Sequence, residues 1–164
     1  MSEHTSQQDL QDKVRRLIRS TKLAMLTSVD PDGTLVSKPM ATQDVDFDGT
    51  VWFISERESH KARNIERNPQ VNVAYASNDS WVSVAGTAEV VDDHAKLREL
   101  WDSFTGAWLE GGPENPNNVL IKVTGRSAEY WDSPGSRVTQ VANLVKAKVT
   151  GTTLNTENET VDLG

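Results

Sequence analysis

The stretch that decides the fold runs from Thr50-Val-Trp-Phe-Ile-Ser55 into Glu56-Arg-Glu-Ser-His-Lys-Ala-Arg63. Its first half is rich in β-branched and aromatic residues, which is typical of a strand. Ser59 is a favoured helix N-cap residue. The helix that follows must end near Asn68-Pro69, because a residue before proline disfavours helical backbone. The sequence therefore predicts a strand that passes through a short polar turn directly into a short helix.

The start of this short helix is a candidate anion site. A helix start carries backbone N–H groups without intrahelical partners and the positive end of the helix dipole. Ser59 can cap the helix, and His60, Lys61 and Arg63 add positive charge in a chain of net charge −7. Phosphate is the natural occupant of such a site. Lysine and arginine are equally ordinary on a solvated helix face, so the segment alone leaves both interpretations open.

The rest of the chain predicts a sheet of short, consecutive strands. Further strands are expected at residues 23–29, 34–42, 71–77, 81–91 and 119–131, and further helices at 9–20, 92–104 and 138–148. Short turns such as Asp30-Pro31-Asp32-Gly33 join neighbouring strands, which favours antiparallel pairing. No alternation of strand and helix supports a doubly wound sheet. We expect a mainly β (α+β) fold: a small barrel of six antiparallel strands with flanking helices.

The chain of 164 residues has the size of one domain. We expect a flexible N-terminal tail at residues 1–8, the folded domain at residues 9–150, and a disordered acidic tail at residues 151–164.

Composition excludes several classes of protein. The net charge of −7 argues against a nucleic-acid binder. Without cysteine there can be no disulfide and no thiolate ligand, and with His4 in a polar tail we expect no metal site. No apolar run approaches the ~20 residues of a membrane span, and no secretory signal begins the chain, so we expect a cytoplasmic protein. Any chemistry is therefore expected to depend on an organic cofactor.

Two further features are candidates for ligand binding. Pro39 removes one ladder hydrogen bond from the strand Ser37-Lys38-Pro39-Met40, so Lys38 could approach an anion there, although an exposed lysine on an edge strand is also ordinary. Trp131, in Glu129-Tyr130-Trp131-Asp132, could cover a planar ligand at a strand end, with Arg137 close behind. Tryptophans equally fill cores and subunit interfaces.

Three runs together resemble a known family. Residues 52–71, 81–90 and 119–135 are similar to the flavin-binding split-barrel family of pyridoxine 5′-phosphate oxidase, and closest to its general-stress-protein branch. The likeness spans roughly residues 10–150. It implies a six-stranded split β-barrel that forms a homodimer and holds FMN at the subunit interface.

The resemblance also implies roles for individual residues. His60 and Lys61, beside the cap Ser59, match the grip on the FMN phosphate. Ile54 and Ser55 match the strand end that lines the ribityl chain and ring. Lys38, Pro39 and Met40 match the strand under the isoalloxazine, and Trp131 matches a tryptophan from the partner subunit.

Two departures separate the chain from a true pyridoxine phosphate oxidase. Trp81 stands where the oxidase has a flavin-contacting glutamine. Arg137, Thr139 and Val141 stand where it has an Arg-x-His-x-Arg pattern. We therefore expect little or no activity on pyridoxine phosphates.

The sequence leaves three functional hypotheses. The favoured one is an FMN-dependent oxidoreductase acting on a small molecule, with NAD(P)H or another small electron donor or acceptor as its partner. The second is a non-catalytic flavin-binding or flavin-storage protein linked to stress, because no residue stands out as a general acid or base. The third keeps the fold but replaces FMN with a deazaflavin or haem, for which His60 and His94 would be the available axial ligands.

Overall fold

The computed structural model describes residues 6–43, 47–132 and 157–163. Its seven strands are β1 (Leu23–Val29), β2 (Leu35–Ala41), β3 (Thr50–Glu56), β4 (Gln70–Ala76), β5 (Ser80–Val91), β6 (Asn118–Asp132) and β7 (Glu157–Asp162). Its four helices are α1 (Gln7–Arg19), α2 (His60–Arg67), α3 (His94–Leu100) and α4 (Ser103–Trp108). Among these helices, none is long and apolar enough to cross a bilayer.

The strands form one antiparallel sheet in the order β2-β1-β4-β5-β6-β3. The 15-residue β6 pairs with β5 along one edge. On its other edge it pairs first with β3 and then with β7. The antiparallel split-barrel architecture is thus confirmed. In the described ranges β2 and β3 lie at the two ends of the strand order, so the sheet does not close into a complete barrel.

The seventh strand corrects the prediction of a disordered tail. Residues 157–162 pair with the second half of β6, and Val161 is fully buried in the core. The Gln7 and Gln11 amides both donate to the Asp162 carbonyl, at 2.6 and 3.2 Å, which ties the strand to α1. Helix α1 also begins at Gln7, inside the expected tail, because Ser6 and Asp9 form a capping box. The predicted helix at residues 138–148 lies outside the described residues.

The remaining elements match the sequence prediction closely. All six expected strands occur, and Pro39 lies on the edge strand β2 opposite Met25. The predicted helix at 92–104 is two helices, α3 and α4, separated by the extended backbone of Trp101.

The core has two parts. In the main cluster, alternate residues of β4 and β5 pack against Val14 and Ile18 of α1. In the second cluster, Leu97 and Leu100 of α3 pack on Ile54 and Leu120. This second cluster fixes α3, and with it the neighbouring α4, beside the end of β3.

Candidate functional site

The junction of β3 and α2 is built by two serines. Ser59 has extended backbone (φ −68°, ψ 150°), and its hydroxyl accepts from the Ala62 N–H at 3.3 Å, so it caps α2. The Ser55 and Ser59 hydroxyls are 3.0 Å apart. Ala62 and Ile65 are buried in the core and fix the helix beneath its first turn. The N–H groups of His60 and Lys61 have no partner within the helix.

A cavity of about 610 Å³ opens in front of this junction. That volume lies within the ~300–1,000 Å³ typical of pockets for small organic ligands. Its walls come from the end of β2, the end of β3, the first turn of α2, and α4. The lining residues are Leu23, Pro39, Met40, Ala41, Gln43, Ile54, Ser55, Glu56, Ser59, Lys61, Phe104, Thr105, Trp108 and Leu109.

Six of the sequence-predicted site residues meet in this cavity. They are Pro39, Met40, Ile54, Ser55, Ser59 and Lys61. Most polar groups lie at the junction of β3 and α2, whereas β2 and α4 contribute mainly apolar side chains. The cavity therefore offers a polar end, with the Lys61 ammonium and the Glu56 carboxylate, and a larger apolar remainder.

The Lys61 side chain carries most of the positive charge in the lining. Burial lowers its pKa below the ordinary lysine value, nearby Glu56 raises it in part, and the positive charge of Lys38 lowers it further. Lys38 does not itself line the cavity, but its charge contributes, after burial and Glu56, to the pKa of Lys61. An anion between the two ammonium groups would relieve their repulsion.

The His60 side chain points to a different partner. Its Nε2 lies 2.8 Å from the Asp30 Oδ1, in the turn between β1 and β2, and His60 is not among the residues that line the cavity. The other described histidine, His94, bonds through Nδ1 to the Pro113 carbonyl at 3.1 Å. Neither ring faces the cavity.

The predicted tryptophans lie together but away from the cavity. Trp81 on β5 and Trp131 on β6 are directly opposite each other in the sheet, and Trp81 is 40% exposed. Ser55 pairs with Val119, near the start of β6, whereas Trp131 is twelve residues further along that strand. Across the sheet the distance is shorter. Leu23 of the lining precedes Ala24, which pairs with Tyr75, and Trp81 pairs with Ala76, so two strand spacings, roughly 10 Å, separate Leu23 from Trp81. Arg137 lies outside the described residues.

The wall formed by α4 was not predicted from the sequence. Phe104 and Trp108 are 54% and 74% exposed and form a tilted ring pair with centroids 6.3 Å apart. Their i,i+4 spacing places both on one face of a helix, which is the signal that could have revealed this wall.

The lining fits an amphipathic ligand with one phosphate. Two hydroxyls, an ammonium group and a helix start provide hydrogen-bond donors for a phosphomonoester. Met40, Ile54 and the α4 aromatics could bury a flat ring. Among the described lining residues, the ionisable side chains are Glu56 and Lys61, both at the polar end. The arrangement thus serves binding and orientation, with little provision for acid–base chemistry.

Comparison with known proteins agrees with this geometry. Residues 9–155 match the model of the family described as pyridoxamine 5′-phosphate oxidase like. General stress protein 26 of Bacillus subtilis is 30% identical over 126 residues, which cover 72% of this chain and 85% of that protein.

Two solved structures share the fold. A protein provisionally named general stress protein 26, from Jannaschia sp. CCS1, has a TM-score of 0.78 and 26% identity, covering 94% of this chain and 99% of its own. The general stress FMN/FAD binding protein of Xanthomonas citri has a TM-score of 0.66 and 27% identity, covering 79% and 92%. The family model spans nearly the whole chain, and these relatives have the same fold. The chain therefore belongs to the pyridoxamine 5′-phosphate oxidase-like family.

Proposed function

We propose that this protein binds FMN in the cavity between β2, β3, α2 and α4 and acts as an FMN-dependent oxidoreductase on a small molecule. The observation that carries the proposal is the junction of β3 and α2, where Ser55, Ser59 and Lys61 surround a helix start at one end of an apolar cavity. The name of the Xanthomonas citri relative, an FMN/FAD binding protein, supports a flavin as the ligand.

The polar end favours FMN among the flavins. A phosphomonoester carries nearly two negative charges at neutral pH, matching the ammonium groups of Lys61 and Lys38. The Ser59 hydroxyl and the N–H groups of His60 and Lys61 can donate to its oxygens. A deazaflavin or haem would have to use the same end, and no described histidine lines the cavity as an axial ligand.

The protein's own residues would bind and orient the cofactor. Met40 and Ile54 would bury part of the ring, Lys38 would provide positive charge near it, and Lys61 would bind the phosphate. FMN, when bound, supplies hydride and electron transfer. The chain would hold the ring in place and exclude water from one of its faces.

We further propose a homodimer in which the partner subunit completes the site. Neither Trp81 nor Trp131 lines the cavity of its own chain, and in such a dimer the partner subunit would supply Trp131 to it. Exposed apolar side chains on β1, β2 and α4 could form the interface; they are Leu23, Met25, Leu35, Phe104 and Trp108. Obligate interfaces are enriched in such side chains.

The proposed reaction partners are NAD(P)H or another small electron donor or acceptor. Because the sequence lacks the Arg-x-His-x-Arg pattern after Trp131, we do not propose pyridoxine phosphates as substrates. We propose a cytoplasmic location. The chain has no cysteine and so forms no disulfides, which is usual for proteins of that reducing compartment.

A non-catalytic flavin-binding protein is the second candidate. It is favoured by the same lining: the described ionisable residues of the cavity lie at its phosphate end, so no general acid or base stands beside the proposed ring position. A flavin store linked to stress would need no such group.

One preparation tests both candidates. The purified protein, loaded with FMN, should show flavin absorption bands, and it should oxidise NAD(P)H in air faster than the same concentration of free FMN. Stoichiometric reduction without turnover would favour the storage protein. A protein that takes up no FMN would contradict the cofactor assignment.

A further inference from the structure

The eight-residue helix α2 needs outside contacts to hold its orientation. Helices this short are marginal on their own, so packing must fix the direction of the first turn. Ala62 and Ile65 supply apolar packing on the core side. Asn64 lies between them in sequence and is also buried, at 1% exposure, although a polar side chain adds nothing to apolar packing.

Asn64 is bonded to the strand and turn that α2 packs against. Its Nδ2 donates to the Asp30 Oδ1 at 2.6 Å and to the Ser28 hydroxyl at 3.3 Å. The same Asp30 oxygen lies 2.8 Å from the His60 Nε2. Because His60 and Asn64 are at i and i+4, both face the same side of the helix, and one carboxylate oxygen binds both.

Asp30 is itself held in place. Its N–H donates to the Thr34 carbonyl at 2.8 Å, and its carbonyl accepts from the Gly33 N–H at 2.9 Å, which closes the turn between β1 and β2. The helix is thus attached through two residues, His60 and Asn64, to one carboxylate oxygen in the turn between β1 and β2. This fixes its rotation about its own axis and hence the direction in which Lys61, next to His60, is presented.

The arrangement has a cost that an apolar side chain would avoid. The Asn64 Oδ1 is buried without a hydrogen-bond partner in the described part of the chain. An unsatisfied buried oxygen is destabilising, and an apolar residue of similar volume would remove it. The presence of asparagine at position 64 is therefore better explained by its two donated hydrogen bonds, which fix the orientation of α2.

We propose that Asp30 and Asn64 are positioning residues that set the phosphate selectivity of the site. They act through α2, by holding Ser59 and Lys61 toward the cavity, and touch no cofactor themselves. His60 belongs to this set because it bonds to Asp30. The inference rests on the proposed function, since it takes the β3–α2 junction as the phosphate end.

The test compares two ligands that differ only in the phosphate. The dissociation constants of FMN and riboflavin are measured by flavin fluorescence titration on the full chain, for wild type, Asn64→Leu and Asp30→Ala. We expect the Kd of FMN to rise about tenfold in both variants, as is common when the groups that hold a binding residue are removed. The Kd of riboflavin should stay at the wild-type value.

A matched control is available on β4. Asn72 donates from Nδ2 to the Ser83 hydroxyl at 2.9 Å. Asn72→Leu therefore removes a hydrogen bond of the same kind elsewhere in the sheet. It should leave the ratio of the FMN and riboflavin dissociation constants unchanged. If the variants weaken the binding of FMN and riboflavin equally, or weaken the binding of neither, the positioning role is overturned. If Asn64→Leu does not fold, Asp30→Ala, which removes the shared acceptor from a partly exposed turn, decides the question. Equal affinity of the wild type for FMN and riboflavin would instead contradict the phosphate site itself.

Discussion

The ammonium group of Lys61 lies where burial and the Lys38 charge both disfavour its protonated form. Replacing Lys61 by alanine should therefore weaken FMN binding by about 2 kcal/mol, because a phosphate loses its charged hydrogen-bond partner. That corresponds to roughly a thirtyfold higher Kd, measurable by fluorescence titration. Lys96→Ala is the control, since Lys96 lies beside Glu99 and Trp52. An equal loss of affinity in both variants would argue against a specific role for Lys61.

The pH dependence of binding follows from the same residue. The pKa of Lys61 is lowered in the free protein, and a bound phosphate dianion would raise it again. At a pH between the pKa of Lys61 in the free protein and its pKa in the complex, Lys61 takes up a proton when FMN binds. The Kd of FMN should therefore increase as the pH rises through the lowered pKa of the free protein. Isothermal titration in buffers of different ionisation enthalpy measures this uptake. Lys61→Arg should abolish it because the guanidinium stays charged; a slope that persists in this variant would assign the proton to another group.

The sequence revealed site residues whose roles are local and missed those whose roles depend on distant partners. Ser59 and Lys61 could be predicted because a cap and a helix start are visible in a few consecutive residues. His60 has the same local signal, yet the structure bonds it to Asp30, a residue of a different turn. Asn64 and Asp30 are 34 positions apart, and nothing in either segment indicates that they meet.

Among the elements, β7 shows how tertiary pairing decides the state of a polar segment. Its sequence, Glu157-Asn-Glu-Thr-Val-Asp162, has one strongly apolar residue, so its composition predicts disorder. The second half of β6 leaves an edge of unpaired backbone groups that this segment satisfies. The burial of Val161 adds apolar contact to those hydrogen bonds.

The strand β7 can be tested through its buried side chain. Val161→Ala should lower the free energy of unfolding by about 1–3 kcal/mol, since it removes buried methyl groups from the core. The neighbouring Thr160 is exposed, so Thr160→Ala should change it by less than about 0.5 kcal/mol. Urea denaturation measures both. If neither substitution affects stability, the segment is not part of the folded core in solution.

At the scale of the whole molecule, the strands and the hairpin of β1 and β2 were predictable, whereas the pairs β1–β4 and β3–β6 and the cavity were not. Short turns imply that neighbours such as β1 and β2 pair, and every expected strand occurs. The cavity depends on contacts that no local pattern encodes. Leu97 and Leu100 dock α3 on β3 and β6, and this brings Phe104 and Trp108 to the site.

The proposed homodimer gives a prediction at this scale. Leu23 is 58% exposed and lines the cavity, so Leu23→Glu should place a charge in the interface. We expect the mass measured by light scattering to fall from two chains to one and FMN affinity to fall with it. Arg67→Glu introduces the same side chain at the exposed end of α2 and should leave a dimer. A wild-type protein that binds FMN tightly as a monomer would contradict the shared site.

The contact between the Gln7 amide and the Asp162 carbonyl brings positions 155 apart in sequence within 2.6 Å. Two segments this close, at opposite ends of the described residues, suit a circular permutation that joins them. A few glycine and serine residues could join them, and new ends could be opened in the exposed loop around Gly111 and Gly112. Such a rearranged chain would keep the polar end of the cavity intact, and it would allow a reporter domain to be attached beside α4 instead of beside α1.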